Sequence, residues 1–147
     1  MNRVAFLTTI FPANKKFLKF FFNSLSTQTY KDFDLVIVND NFKNLEIYKD
    51  LYSNLNIINI NSSNSPSKNR EIGINYCIDS KYENLVFGDS DDYFKNNRIE
   101  KSVEFLKKVD IVVNDLSLFD SKGIYEIRYL SNRLKNLEIV DYEFIKS

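Results

Sequence analysis

The chain alternates short apolar runs with segments whose apolar residues recur every three or four positions. Residues 3–10, RVAFLTTI, are rich in β-formers and predict a first buried strand, ended by Phe11 and Pro12. From Asn14 the period changes. Phe17, Leu18, Phe21, Phe22 and Leu25 fall at helical spacing, with Lys15, Lys16 and Lys19 elsewhere. Residues 33–38, FDLVIV, predict a second buried strand closed by Asn39 and Asp40, and Leu45, Tyr48, Leu51, Tyr52 and Leu55 a short second helix. A weaker strand, residues 57–60, runs into the polar stretch NSSNSPS, where Ser65 fits a helix N-cap and Pro66 the first helical position. That third helix would turn Ile72, Tyr76 and Cys77 inward. The run Leu85-Val86-Phe87 then stops at Gly88, a buried strand opening into a loop. Ile99, Val103 and Leu106 mark a fourth helix, and residues 111–113 a further strand. DSKG at 120–123 signals a turn into a partner strand over 124–130, and beyond Ser131 the pattern weakens.

Strands alternating with helices specify an α/β fold: a mostly parallel central sheet with helices on both faces. The strands lack polar alternation, as parallel strands buried on both sides do. No repeat or low-complexity linker divides the sequence, so residues 1–147 read as a single domain. Ligands of such sheets bind outside the carboxyl ends of the strands. Thr9 to Phe11, Asp40, the loop at 62–67 and the acidic run at 89–92 all fall at those ends. Polar groups from distant parts of the sequence thus converge on one edge.

Composition narrows the chemistry. The absence of histidine excludes Ser-His-Asp catalysis and zinc sites of the usual kind. Lysine plus arginine and aspartate plus glutamate both number 20, so no net field attracts nucleic acid or an anionic membrane. The lone Cys77 excludes an internal disulfide and reads as a small core residue. The N-terminus imitates a signal peptide, but its apolar part is short, carries Thr8 and Thr9, and lacks a cleavage pattern. No run approaches the ~20 apolar residues of a spanning helix. A cytoplasmic protein is the expectation.

Asp89, Asp91 and Asp92 lie within four positions at the mouth of a strand. Carboxylates about 4 Å apart repel by roughly 4 kcal/mol near a protein surface, which favours sharing a cation. Hard oxygen ligands suit Mg²⁺ or Mn²⁺, and magnesium commonly binds one or two carboxylates with phosphate oxygens. The alternative is a solvated loop capping the next helix. Asp40 could accept a hydrogen bond from a base or sugar, or merely form an Asx turn. Arg70, early in the third helix, could hold a diphosphate bidentately, or pair with Glu71 or another neighbour. Phe11 could stack on a base or pack in the core.

These residues also carry a resemblance. SLSTQTYKDFDLVIVND (24–40) resembles the S-L-x-x-Q-T-Y-x-x-F-E-I-I-V-V-D-D stretch of the inverting family 2 glycosyltransferases. FGDSDDYF (87–94) resembles their F-L-D-S-D-D segment, and NREIGI (69–74) the A-R-N-x-G-I that precedes it. The resemblance runs from Val4 to about Ile124 and implies a Rossmann-like GT-A domain that binds a nucleotide-sugar. It places Thr9, Phe11 and Asp40 at the nucleobase, Arg70 at the nucleotide and Asp89 at the ribose. Asp91 and Asp92 would hold an Mn²⁺ or Mg²⁺ ion bridging the diphosphate.

The implied activity is transfer from a nucleotide-diphosphate sugar, UDP-sugar favoured, to a saccharide or glycolipid hydroxyl in surface-polysaccharide or glycolipid assembly. The departures are Asn39 for the family's first Asp, Glu71 for its Asn, and Phe11-Pro12 for Tyr-Asn. The family's catalytic base follows the acidic motif at a distance, so the acceptor-binding half is expected to be largely absent, the domain truncated at its C-terminus. Asp115, Asp141 and Glu143 are available acids, and nothing marks any of them as the base. A non-catalytic nucleotide-sugar binder or remnant is the rival reading. A D-x-D phosphohydrolase fits less well, because that motif opens the first strand of its sheet and continues with Thr or Val where Tyr93 stands. The Phe-rich first helix could touch a membrane surface or serve the core. Uncovered apolar surface could drive homo-oligomer formation.

Overall fold

Four strands, β1 (Val4–Ile10), β2 (Phe33–Asp40), β3 (Asn56–Ser62) and β4 (Asn84–Phe87), form a parallel sheet ordered β3-β2-β1-β4 in the computed structural model, which describes residues 3–120 and 122–130. Helices α1 (Lys15–Ser26, after a single 3₁₀ turn at Pro12–Asn14), α2 (Leu45–Leu51), α3 (Pro66–Asp79) and α4 (Arg98–Leu106) connect or follow these strands. This is the expected α/β architecture. Ser65 does cap α3, its Oγ accepting from the Lys68 N–H at 3.4 Å.

The alternation of side chains along each strand divides the core in two. Val4, Phe6, Ile10, Leu35 and Ile37 join Leu18, Phe21, Phe22, Leu25, Ile99 and Val103, so α1, α2 and α4 cover one face. Ala5, Leu7, Val36 and Val38 face the other way, with Cys77 of α3. The α3 helix buries a seam of small or polar residues, Asn69, Gly73 and Cys77, while Ile72 and Tyr76 flank it half-buried. Gly73 is what allows this approach. A Cβ there would lie 2.5 Å from Leu7 Cδ1 and 2.9 Å from Val38 Cγ2.

Cys77 is a buried core thiol, and desolvation pushes its pKa up to about 11. An Ellman titration of the native protein should therefore find this thiol unreactive, with one equivalent released once denaturant is added. Rapid labelling of native protein at neutral pH would contradict the burial.

Two expectations need correction. The strand at Leu85-Val86-Phe87 is not buried throughout: Val86 is, but Phe87 is exposed. Among the described residues β4 pairs only with β1, so it lacks a neighbour on its outer side. Residues 111–113 are not a strand, and Ile111 and Val113 stand exposed, because no partner strand lies alongside them among the described residues.

By its internal contacts the chain divides into two compact units, Met1–Asp110 and Ile111–Ser147. The second contains an antiparallel hairpin, β5 (Leu118–Asp120) with β6 (Gly123–Glu126), shorter than the expected 124–130 strand. Gly123 has φ 123°, a conformation open to glycine. Asp141 and Glu143 lie outside the described residues.

Candidate functional site

Parallel register sets the site's floor. Ile10 pairs with Asn39 and Asp40 with Ser62, while Leu7 pairs with Phe87, so β4 ends short of its neighbours and Gly88–Asp92 turns beside the end of β1. Three contacts hold that turn. The Gly88 N–H donates to Leu7 O at 3.3 Å, Ser90 Oγ donates to Thr9 O at 2.8 Å, and the Asp92 N–H donates to Asp89 O at 3.1 Å. Ser90 is buried, whereas Asp91 and Asp92 are exposed. One residue of the loop is thus an anchor and its acidic neighbours face outward. A shallow depression lined by Leu7, Thr8, Thr9, Arg70, Phe87 and Gly88 adjoins it.

Arg70 reaches this loop. Its Nη2 lies 3.1 Å from Asp89 Oδ1, both side chains exposed, while Glu71 pairs instead with Lys68 at 2.8 Å. The expected proximity of Arg70 to the acidic run is observed, and the alternative pairing with Glu71 is not. An exposed pair of this kind contributes about 0–1 kcal/mol, so a ligand phosphate could readily compete for the guanidinium. Asp92 has its pKa raised, first by desolvation and then by the charges of Asp89 and Asp91, with Arg98 opposing. Arg98, a cation the sequence reading missed, donates to Phe87 O at 3.4 Å from the start of α4.

Phe11 is 44% exposed at the end of β1 and so is not a core residue. Asn14 fixes its backbone: the Phe11 N–H donates to Asn14 Oδ1 at 3.1 Å, and the Asn14 N–H donates back to Phe11 O at 3.0 Å. Thr9 is half-buried. Asp40, half-exposed at the end of β2, accepts from Asn41 Nδ2 at 2.9 Å, and that amide also reaches Ser63 Oγ at 3.1 Å. Asn39 points into the fold, exchanging hydrogen bonds with the Phe42 backbone at 2.8 and 3.0 Å. Buried Asn69 accepts from Ser62 Oγ at 2.7 Å and donates to Asn64 O at 3.2 Å, which braces the loop before α3. No pattern rule marks Asn69 or Ser90, since Asn69 acts through two loop partners and Ser90 through one backbone carbonyl 81 residues away.

Among the described residues, no three acidic or cysteine side chains gather closely enough to enclose a metal. The crowding of three carboxylates therefore does not produce a three-ligand site. Asp91 and Asp92 still fit an ion such as Mg²⁺ or Mn²⁺, which takes one or two carboxylates and completes its shell with waters and phosphate oxygens. Asp115 is already engaged, accepting from the backbone N–H groups of Leu116 and Leu130, each at 2.9 Å.

The second element of the site lies behind the loop. Gln28, fully buried, donates from Nε2 to Ser24 O at 3.0 Å and Lys95 O at 2.8 Å, while its Oε1 accepts from the Ile99 N–H at 3.0 Å. That N–H belongs to the first turn of α4, where backbone donors have no helical partner. The Thr29 N–H donates to Asn96 O at 2.7 Å and its Oγ1 to Glu100 Oε2 at 2.9 Å. Gln28-Thr29 thus fastens the segment that leads away from the acidic loop.

Comparison with known proteins agrees with this architecture. The chain is similar to the uncharacterized glycosyltransferase YwdF of Bacillus subtilis (strain 168), with 27% identity over 122 residues, 82% of this chain and 44% of YwdF. It therefore spans less than half the length of that relative. Among solved structures, S. aureus TarS 1-349 superposes with a TM-score of 0.59 at 20% identity, over 81% of this chain and 40% of that one. The same TarS region in complex with UDP gives 0.57 at 21% identity, over 82% and 40%, and in complex with UDP-GlcNAc 0.57 at 20%, over 82% and 39%. At such identities the likeness shows the fold, which is the Rossmann-like GT-A type. The description "Glycosyl transferase family 2" matches residues 8–145, and with nearly the whole sequence covered the chain belongs to glycosyl transferase family 2.

Proposed function

We propose that this chain binds the nucleotide-sugar donor of a metal-dependent, inverting glycosyl transfer, with a UDP-sugar as the favoured donor. The observation that carries this reading is the meeting of Thr9, Phe11, Asp40, Arg70 and the 89–92 loop at one sheet edge, outside the carboxyl ends of parallel strands. Phe11 offers an exposed ring for a base, and Asp40 an acceptor for its N–H. Asp89 would take the ribose hydroxyls, and Arg70 would exchange its pairing with Asp89 for the diphosphate. Asp91 and Asp92 would hold Mn²⁺ or Mg²⁺, whose charge offsets that of the leaving diphosphate. The acceptor would be a saccharide or glycolipid hydroxyl in polysaccharide or glycolipid assembly, attacking the anomeric carbon in line.

A donor binder without transfer is the second reading. It is favoured by the engagement of Asp115, an available acid whose Oδ1 already accepts from the backbone N–H groups of Leu116 and Leu130. Assays of sugar transfer and donor hydrolysis separate the two. No helix among the described residues is long and apolar enough to cross a membrane.

Linkage supplies the direct test. UDP with Mn²⁺ at a hundredfold above Kd should stabilise the fold by about 2.7 kcal/mol, raising Tm by about 5–10 °C. Asp91→Asn should abolish the metal-dependent part and retain the nucleotide-only part. If none of UDP, GDP and dTDP raises Tm with metal present, the donor-site reading is wrong.

A further inference from the structure

The outer surface of α1 and α2 breaks two local rules. Helix α1 opens on Lys15 and Lys16, with Lys19 a turn later and no acid in its first turn, although the positive end of a helix dipole disfavours cations there. No acidic residue precedes Asp32 anywhere in the sequence, so this cationic face sits in a chain of zero net charge. The same surface also leaves large apolar side chains in water. Phe20 of α1 is 63% exposed, and Ile47 and Leu51 of α2 are 55% and 70% exposed. The remaining phenylalanines of α1 are accounted for, since Phe21 and Phe22 are core and Phe17 is half-buried under Lys16, whose Nζ lies 4.6 Å from its ring centroid.

The two helices lie side by side. Phe22 stacks on Tyr48 and Tyr52 with centroids 4.9 and 5.5 Å apart, and the Tyr52 hydroxyl donates to Lys19 O at 3.2 Å. On α2 Glu46 pairs with Lys49 at 2.8 Å, and in the charge count Lys43 before the helix cancels Asp50 within it. The surplus charge is that of the three α1 lysines.

We propose that this face is a peripheral docking surface for an anionic lipid bilayer. Lysine heads suit anionic headgroups, and Phe20, Ile47 and Leu51 suit the acyl boundary beneath them. A second copy of this chain fits worse, because a two-fold contact would bring together two faces that each carry a surplus of positive charge. A small soluble anion would use the lysines but leave the apolar side chains unexplained. The Pro12–Asn14 turn and the first turn of α1 directly follow Phe11, so docking would bring the carboxyl edge of the sheet toward the bilayer.

Vesicle co-sedimentation tests this without touching the donor site. The protein should bind phosphatidylcholine vesicles that contain phosphatidylglycerol, ignore phosphatidylcholine alone, and release as salt is raised. Lys15→Gln, Lys16→Gln and Lys19→Gln combined should weaken binding by roughly a hundredfold, about fivefold per lysine. Phe20→Ser should weaken it by about tenfold, the anionic-lipid preference retained. All four positions are on the outer helix face, and an unchanged Tm verifies that the variants fold. The proposal is overturned by absence of binding to anionic vesicles, or by variants that bind like wild type. It is equally overturned if the lysine variant loses UDP affinity instead, or if Phe20→Ser dissolves a dimer while lipid binding stays unchanged. A failed UDP test would bear only on the donor site.

Discussion

Gln28→Leu is expected to destabilise the Met1–Asp110 unit by about 3 kcal/mol, a shift of about 10 °C in Tm. Leucine has a similar volume, so little of this is cavity. The loss comes mainly from the Ile99 N–H, left buried without a partner at about 1–3 kcal/mol, with about 1 kcal/mol more for the hydrogen bond lost at the Lys95 carbonyl, which keeps the Arg98 N–H at 3.0 Å. Ser24 O keeps a contact from Thr27 Oγ1 at 3.3 Å and adds less. Gln28→Glu makes the sharper test, because it retains the acceptor for Ile99 and puts a carboxylate against the two carbonyls. Burial and those carbonyls favour its protonated form, so its folded pKa rises above the ordinary value of about 4.3. The folded state then binds more protons than the unfolded one, and stability falls as pH rises from about 4.3 through the raised pKa before levelling off. Urea denaturation across that range should find the variant closest to wild type in acid. A deficit independent of pH would mean that the side chain is not held between Ser24 and Lys95.

Gln28 also shows where sequence reading stops. Periodicity found β1, β2 and α1 because their apolar residues commit them to one or two buried faces. The cap and proline located the start of α3. The stretch SLSTQTYKDFDLVIVND was recognisable as a family pattern, yet nothing local says that its glutamine closes contacts with Lys95 and Ile99, some seventy residues on. The same holds for Ser90 and Thr9 O, whose partnership exists only once β1 and β4 are paired. The site's acids were legible because charge crowding is visible in a linear sequence. What they are anchored to was not. Residues 111–113 failed for the opposite reason: three β-formers in a row meet the pattern for a strand, but a strand needs a neighbour, and pattern carries no knowledge of one. The α3 seam was legible only in part: Cys77 is buried and Tyr76 packs beside it as expected, but Asn69 and Gly73 take the inner positions for closeness to the sheet, not for apolarity.

The largest effect is expected at Phe94, which closes the acidic loop. Its ring packs edge-on against Phe6 and Phe21, with centroids 5.1 and 6.0 Å away. Phe94→Ala removes those contacts and leaves a cavity in the larger core, so about 3–5 kcal/mol of stability should be lost in urea denaturation. The chain after Asp92 loses its apolar anchor as well, so the nucleotide- and metal-dependent rise in Tm should shrink beyond what the lower starting stability accounts for. Gly88→Ala perturbs the same contact in the other direction. A Cβ at position 88 would meet Phe6 Cζ at 2.4 Å and Phe94 Cζ at 2.5 Å, and such overpacking costs about 1–3 kcal/mol. The two changes should not add. With the Phe94 ring gone, one of the two clashes disappears and the Phe6 ring gains room to turn away from the new methyl. Gly88→Ala should therefore be clearly less harmful in the Phe94→Ala background, by about 0.5–3 kcal/mol in a double-mutant cycle. Strict additivity would show that Gly88 is required for its backbone and not for the space between the rings, and the route from aromatic core to acidic loop would have to be redrawn.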